Sequence, residues 1–274
     1  MYKYKIVASD LDGTLFNSSS KISNENAEAI KSLAEKGVLF VPTTGRTYGD
    51  ISLDLRCNDN IRYYICSNGA LVFDKKTGKS IKNGISADLL KKMLDILYEY
   101  DVHLAIRTGG VCITDAQKYT DKDFSDYHIC DAHIDVLKHF AQTREDFNAF
   151  TYSVEDAEAV ATFYKNLDDL FECKRRLEAL GGLLVIRQFE YNLDICSAAT
   201  NKGDALLSLS DMVGIEHSQT IGVGDSDNDL ALVETAALGL AVSNASDNLK
   251  SVADKIICSN EENAIDYIDK HYFN

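Results

Sequence analysis

Long apolar runs are missing from this chain. No window of about 18 consecutive apolar residues occurs, so no membrane-spanning helix is expected. A basic surplus is missing too. Lys+Arg number 28 against 43 Asp+Glu, a net charge of -15. That argues against nucleic acid or an anionic membrane as a main partner, since both are held by basic surface. The 7 cysteines include no C-x-x-C pair and are scattered, which suits free thiols in a reducing cytoplasm rather than a disulfide framework. The opening Met-Tyr-Lys-Tyr-Lys runs straight into a strand pattern with no signal-peptide core, so a cytoplasmic location is expected. There is no internal repeat and no low-complexity segment. There is no G-x-x-x-x-G-K-[ST] loop, so nucleotide-driven transfer is not indicated. What is present is ordinary for a soluble protein: 274 residues, 45% hydrophobic and 26% charged, enough for one large or two modest domains.

Both ends of the chain alternate strand-like and helix-like segments. Near the N-terminus, strand Lys5 to Ser9 leads to a helix capped by Ser23, with Ala27, Ile30, Leu33 and Ala34 on helical spacing. Strands Val38 to Val41 and Tyr63 to Cys66 follow. Toward the C-terminus, helix Lys202 to Met212, strand Gln219 to Val223, a helix to about Thr235, strand Leu238 to Val242 and a last helix near Glu261 to His271 repeat the grammar. Such β-α-β spacing predicts an α/β fold, a doubly wound parallel sheet buried on both faces.

The middle reads differently. A helix over Ser86 to Tyr100, short strands at His103 to Arg107, Val111 to Thr114 and Ala149 to Ser153, an irregular acidic stretch, a long helix over Asp156 to Leu180, and strands Leu183 to Arg187 and Asn192 to Cys196 are expected. They predict an inserted α+β domain at 84–190, with 1–83 and 191–274 forming one α/β core. Residues 1–83 carry 12 basic against 9 acidic side chains, 84–190 carry 12 against 20, and 191–274 carry 4 against 14. A solvated acidic face is the default account of such an excess.

Four segments fall at strand ends or helix starts: Asp10-Leu11-Asp12-Gly13-Thr14, Thr44-Gly45-Arg46, Asn201-Lys202-Gly203 and Gly224-Asp225-Ser226-Asp227-Asn228-Asp229. Asp10 and Asp12, two apart on an extended chain, share a face, and carboxylates that close repel unless a cation or shared proton intervenes. A hairpin explains Asp12-Gly13 but not Asp10. An EF-hand fails in both acidic segments, because Leu15 and Lys21, or Leu230 and Ala236, stand where Gly and Glu are required. Gly222-Val223-Gly224 also fails as a dinucleotide fingerprint, with Asp227 in place of the third glycine. An N-cap acid and solvated acids account for one or two of the aspartates in the fourth segment, but not for their density after an apolar strand. Ligands of open α/β sheets bind at the carboxyl ends of the strands. Carboxylates from two strand ends make an oxygen cage suited to Mg²⁺, a lysine and a hydroxyl can hold phosphate oxygens, and a carboxylate nucleophile with a second acid beside it suits phosphoryl transfer.

On these four segments, in this order, the chain resembles the haloacid dehalogenase superfamily, specifically its Cof-type phosphatases with a large inserted cap, over nearly its whole length. The resemblance implies a Rossmann-like core, Mg²⁺ as cofactor and an aspartyl-phosphate intermediate. It implies Asp10 as nucleophile and Mg²⁺ ligand, and Asp12 as general acid/base with its carbonyl on Mg²⁺. It implies Thr44, Gly45, Lys202 and Asn228 around the phosphate, with Asp225 and Asp229 completing the metal site. Ser67-Asn68-Gly69-Ala70 is similar to the strand end before the family's cap, which closes over the site and sets specificity. Pro42-Thr43, Ser243-Asn244-Ala245 and Glu262-Asn263-Ala264 depart from the usual loop pattern, the last standing where Asp-Gly-Val is frequent.

The expected function is Mg²⁺-dependent hydrolysis of small phosphorylated metabolites, above all sugar phosphates, by a monomer or homodimer. A sugar phosphomutase and a non-catalytic metabolite-binding protein are the alternatives. The first wants a basic cap, which 84–190 is not; the second wants Asp10 or Asp12 missing, and both are present. His128, Cys130, His133 and His139 match no zinc spacing. Arg107 with Thr108-Gly109-Gly110 reads as an anion contact or a hairpin turn. Tyr119, Phe124 and Tyr127 read as a sugar site or a small core.

Overall fold

In a computed structural model describing residues 2–187 and 189–274, with the side chain of Ala132 left aside, the chain divides into two compact units. The first comprises Met1–Arg46, Ile51–Ile81 and Asn201–Asn274; the second comprises Thr47–Asp50 and Lys82–Thr200.

In the first unit, five parallel strands lie in the order Lys255–Ile257, Leu238–Val242, Thr220–Gly224, Ile6–Ser9, Leu39–Pro42. The central strands Ile6–Ser9 and Thr220–Gly224 are wholly buried. Such strands need apolar side chains on both faces, which Ile6, Val7 and Ala8 supply. Ile6 and Ala8 face a core shared with Leu206 and Leu209 of helix Lys202–Val213 and Leu232 of helix Leu230–Thr235. Helices Asn24–Glu35 and Ala264–Tyr272 pack on one another, and Asn24–Glu35 packs against the Leu39–Pro42 strand. As its spacing predicts, Ser23 caps the first helix, its side chain accepting the Asn26 N–H at 3.1 Å. Asn263, in the place of a frequent glycine, is left-handed (φ 65°), a conformation that asparagine tolerates better than most residues.

The Tyr63–Cys66 strand corrects one expectation. Its ladder is antiparallel, with Leu71–Asp74, and it joins the parallel sheet only by an isolated bridge, Thr43–Ile65, which is parallel. Pro42 has no N–H to continue a ladder. Ser67, Asn68 and Gly69 all take positive φ (51°, 55°, 101°), which turns the chain straight back on itself.

In the second unit, a six-stranded sheet runs Leu183–Ile186, Asn192–Ser197, Ala159–Tyr164, Val102–Thr108, Val111–Asp115, Gln142–Arg144. Helices Ala87–Leu97 and Leu167–Ala179 share a core with one face of it. Phe124, Tyr127, Ile129 and Leu137 pack on residues of the other, Ala105, Cys112, Ala161 and Phe163.

Four expectations change here. Asn192–Ser197 pairs inside this sheet, so the boundary placed at 191 falls at Asn201. The helix expected over Asp156 to Leu180 begins only at Leu167, capped by the Asn166 side chain; Ala159–Tyr164 before it is a strand paired on both edges. Tertiary pairing there overrides local propensity. The strand expected at Ala149 to Ser153 is helix Phe147–Ser153, fastened by Thr151 to the Tyr98 hydroxyl (2.7 Å) and by the Tyr152 hydroxyl to Asp95 (2.8 Å). The acidic stretch read as irregular holds helices Asp121–Asp126 and Asp131–Phe140.

Candidate active site

Asp10 follows directly on the Ile6–Ser9 strand, its N–H donating to the Val223 carbonyl at 3.0 Å. The chain then makes one tight turn over Leu11–Leu15, closed by the Phe16 N–H on the Leu11 carbonyl (2.8 Å). Gly13 sits in it at φ +83°, and a Cβ there would stand 2.6 Å from Asp225 Oδ2. Only glycine accepts that backbone angle and that close an approach. The Thr14 hydroxyl donates to Asp225 Oδ1 at 3.0 Å, and the Asn244 side chain holds the Gly13 carbonyl at 2.8 Å. At the end of the Thr220–Gly224 strand, a Cβ on Gly224 would meet Asp229 at 2.4 Å. Asp229 therefore folds back, and its Oδ2 accepts the N–H groups of Asp225 (3.0 Å) and Ser226 (3.2 Å).

Lys202 opens its helix behind an Asn201 cap and is wholly buried. Its Nζ donates to Asp10 Oδ1 and Asp229 Oδ1, each at 2.6 Å. Oxygens of Asp10, Asp225 and Asp229 lie within 4.8 Å of one another. Three carboxylates thus crowd a largely buried volume holding one ammonium, which bonds two of them. Burial pushes Asp10 up to about 7; Lys202 pulls it down, and Asp229 and Asp225 push it further up. Burial likewise raises Asp225, with the Thr14 hydroxyl opposing and Asp229 adding. Burial works against the Lys202 ammonium, yet Asp10 and Asp229 outweigh it and raise its pKa. The lysine stays charged, and the acids remain short of positive charge.

Asp12 stands outside that cluster. Its half-exposed carboxylate accepts two hydrogen bonds from Arg46, Nε to Oδ2 at 2.8 Å and Nη2 to Oδ1 at 2.6 Å. Thr44 is buried, and its hydroxyl accepts the Arg46 N–H at 3.1 Å, leaving its own O–H to donate. The Gly45 N–H has no acceptor among the described residues. Asn228 is exposed and joined to Asn68, Nδ2 to Oδ1 at 3.1 Å. Asp227 is taken instead by Ser246 (2.6 Å) and Asn248 (3.1 Å) and serves its loop.

Sequence reasoning gave no role to Arg46, Thr14 or Asn244. Asn68 was legible only within the Ser67-Asn68-Gly69-Ala70 strand end; its contact with Asn228 was not.

The middle candidates do not converge. His128 stacks on Tyr191 at 4.0 Å, and Cys130 Sγ lies 3.5 Å from His133 Nδ1. His133 packs edge-on to Phe163 and Phe189, and His139 Nδ1 meets the Asp135 carbonyl of its own helix. Among the described residues they form no three-ligand group. Phe124 and Tyr127 are core, Tyr119 is partly buried against it, and the Thr108 hydroxyl holds the Asp156 carbonyl at 2.9 Å.

A sequence model of the haloacid dehalogenase-like hydrolases matches residues 7–268. Phosphatase YwpJ of Bacillus subtilis is 29% identical over 287 residues, covering 97% of this chain and 99% of that protein. The 5-amino-6-(5-phospho-D-ribitylamino)uracil phosphatase YwtE of the same organism is 28% identical over 278 residues, 96% of each. Among solved structures, TM0651 of Thermotoga maritima superposes with a TM-score of 0.80 over 99% of this chain and 98% of its own, at 21% identity, a likeness of fold. A haloacid dehalogenase-like hydrolase from B. subtilis gives 0.72 over 97% and 99%, at 26% identity. With the match spanning both ends of the chain and the acidic cluster at its strand ends, the chain belongs to the haloacid dehalogenase-like hydrolases and is a phosphatase of that family.

Proposed function

We propose that this phosphatase is a Mg²⁺-dependent, cytoplasmic enzyme for small phosphorylated metabolites, sugar phosphates first among them, with Asp10 as its nucleophile. The observation that carries the reading is the buried Lys202 ammonium at 2.6 Å from both Asp10 and Asp229. It pins one Asp10 oxygen in a cluster whose charge it does not balance.

The donor set fits Mg²⁺: hard carboxylate oxygens from two strand ends, close together and short of a cation. Asp10 and Asp225, with the Asp12 carbonyl, would hold the ion. Asp229, whose oxygens are engaged by Lys202 and two backbone amides, would act on the ion's waters. Bound there, Mg²⁺ supplies positive charge to the phosphate oxygens.

The chain's own residues carry the steps. Asp10 attacks phosphorus and forms an acyl phosphate as the bond to the leaving oxygen breaks. Asp12 gives its proton to that oxygen, then takes one from the water that attacks the acyl phosphate, releasing phosphate and restoring Asp10. Thr44, the Gly45 N–H, Asn228 and Lys202 hold the equatorial oxygens, where most stabilisation in such transfers is found. The second unit is proposed as the cap that selects the leaving group.

The test is Asp10→Asn assayed for Mg²⁺-dependent phosphate release from p-nitrophenyl phosphate. Loss of activity by at least about 10³-fold is expected, and wild-type turnover would refute the assignment. A panel of phosphorylated sugars, including 5-amino-6-(5-phospho-D-ribitylamino)uracil because that is what the relative YwtE is named for, then identifies the substrate.

A further inference from the structure

Asp12 poses a problem of placement. It sits on a tight turn with its side chain about half exposed, and an exposed aspartate is free to rotate among its rotamers. Among the described residues, one side chain holds it. Arg46 grips both oxygens, at 2.8 and 2.6 Å, in the planar two-pronged geometry that lysine cannot reproduce.

Arg46 is itself held from three sides. Its N–H donates to the Thr44 hydroxyl (3.1 Å), its carbonyl accepts the Ser67 N–H (2.9 Å), and its guanidinium carbon lies 5.6 Å from the centre of the Phe16 ring. The clamp therefore connects Asp12 to the backbone of the Thr44-Gly45 loop.

We propose that Arg46 is a positioning residue: it sets where the Asp12 carboxylate stands, and acts on the reaction through Asp12 rather than by binding phosphate. This rests on Asp12 being the acid/base. Exposed single ion pairs add little to stability, so the effect is expected in turnover rather than in folding.

The experiment is a double-mutant cycle on the full-length, Mg²⁺-loaded protein with Arg46→Ala, Asp12→Asn and both together. The probes are p-nitrophenyl phosphate and β-glycerophosphate. Arg46→Ala is expected to lower kcat on β-glycerophosphate by about 10²-fold with KM within about threefold. The loss should be smaller on p-nitrophenyl phosphate, whose leaving group needs little protonation. Arg46→Lys should recover only part of it, and millimolar guanidinium should restore part of the Arg46→Ala loss. In the Asp12→Asn background, Arg46→Ala should change nothing further. A KM rise from Arg46→Ala in both backgrounds, with kcat held, would show direct phosphate binding and overturn the proposal. So would an unchanged kcat while Asp12→Asn is inactive on β-glycerophosphate. Full β-glycerophosphate turnover in Asp12→Asn would instead overturn the acid/base assignment itself.

Discussion

Asp101 and Asp10 are both touched by lysine, and they titrate in opposite directions. Asp101, in the second unit, accepts hydrogen bonds from Lys118 (2.8 Å), Lys165 (2.6 Å) and the Tyr127 hydroxyl (2.5 Å). Those bonds, Lys118's first, hold it well below the usual carboxylate range. Asp10, in the first unit, has one lysine at 2.6 Å, which it shares with Asp229, and burial pushes it up to about 7. One acid with two ammonium groups in partial contact with water is complete. Three acids around one buried ammonium are not. The ratio of charges to burial, more than the presence of a lysine, separates the two clusters, and the deficit around Asp10 is what the proposed cation would fill.

Removing a lysine from each cluster has the most unequal expected effects. Lys202→Met leaves Asp10 and Asp229 buried without their shared partner, and stripping one partner from a buried ionic group costs about 3–5 kcal/mol. A large fall in the urea midpoint, with loss of activity, is expected. Lys165→Met leaves Asp101 its other lysine and its tyrosine and should hardly move the midpoint. Equal midpoint shifts for the two variants would end the distinction.

The acid excess around Asp10 would also give the proposed Mg²⁺ a pH signature. The folded value near 7 lies above the ordinary 3.8. The metal-free folded state therefore holds this proton more tightly than the unfolded chain does. Its contribution to stability falls as pH rises from about 4 to 7 and levels off above. Mg²⁺ held there as proposed would compete with that proton, so its stabilisation should grow over the same window, reaching about 2.7 kcal/mol at a hundredfold excess over Kd. Melting temperatures with and without Mg²⁺ at pH 5 and pH 8 test this. An identical Mg²⁺ shift at both would contradict it.

That Asp10, Lys202, Asp225 and Asp229 of the candidate site come together was legible in the sequence because a parallel sheet forces it. Apolar strands such as Ile6–Ser9 and Thr220–Gly224 end where the acids begin, and crossover connections put those ends on one edge. What was not legible depends on side-chain direction and on pairing. Nothing in the spacing says that Arg46 reaches back 34 residues to Asp12 while Asp227 turns away to Ser246. The Ala159–Tyr164 strand was read as helix because its acidic, alanine-rich flank favours helix, while its partners on both sides are distant in sequence. The same long-range pairing took Asn192–Ser197 into the second unit.

The smallest expected effect is at Asp101 itself. Asp101→Asn removes a charge but keeps an oxygen for Tyr127 and the two ammonium groups. With its carboxylate about half in water, screening limits its contribution to below about 1 kcal/mol. Because the folded state depresses this acid, its stabilisation is fully present above its ordinary pKa of 3.8 and is lost as pH falls below it, the reverse of Asp10. The variant's deficit in urea midpoint should therefore be measurable at pH 7, shrink below about pH 4, and shrink again in high salt. Phosphatase turnover should not change. A deficit that persists in acid would mean that the asparagine disturbs packing around Tyr127, whose ring lies 5.0 Å from the Lys118 ammonium and 4.7 Å from that of Lys165. The Asp101 cluster would then owe its place to packing rather than to charge.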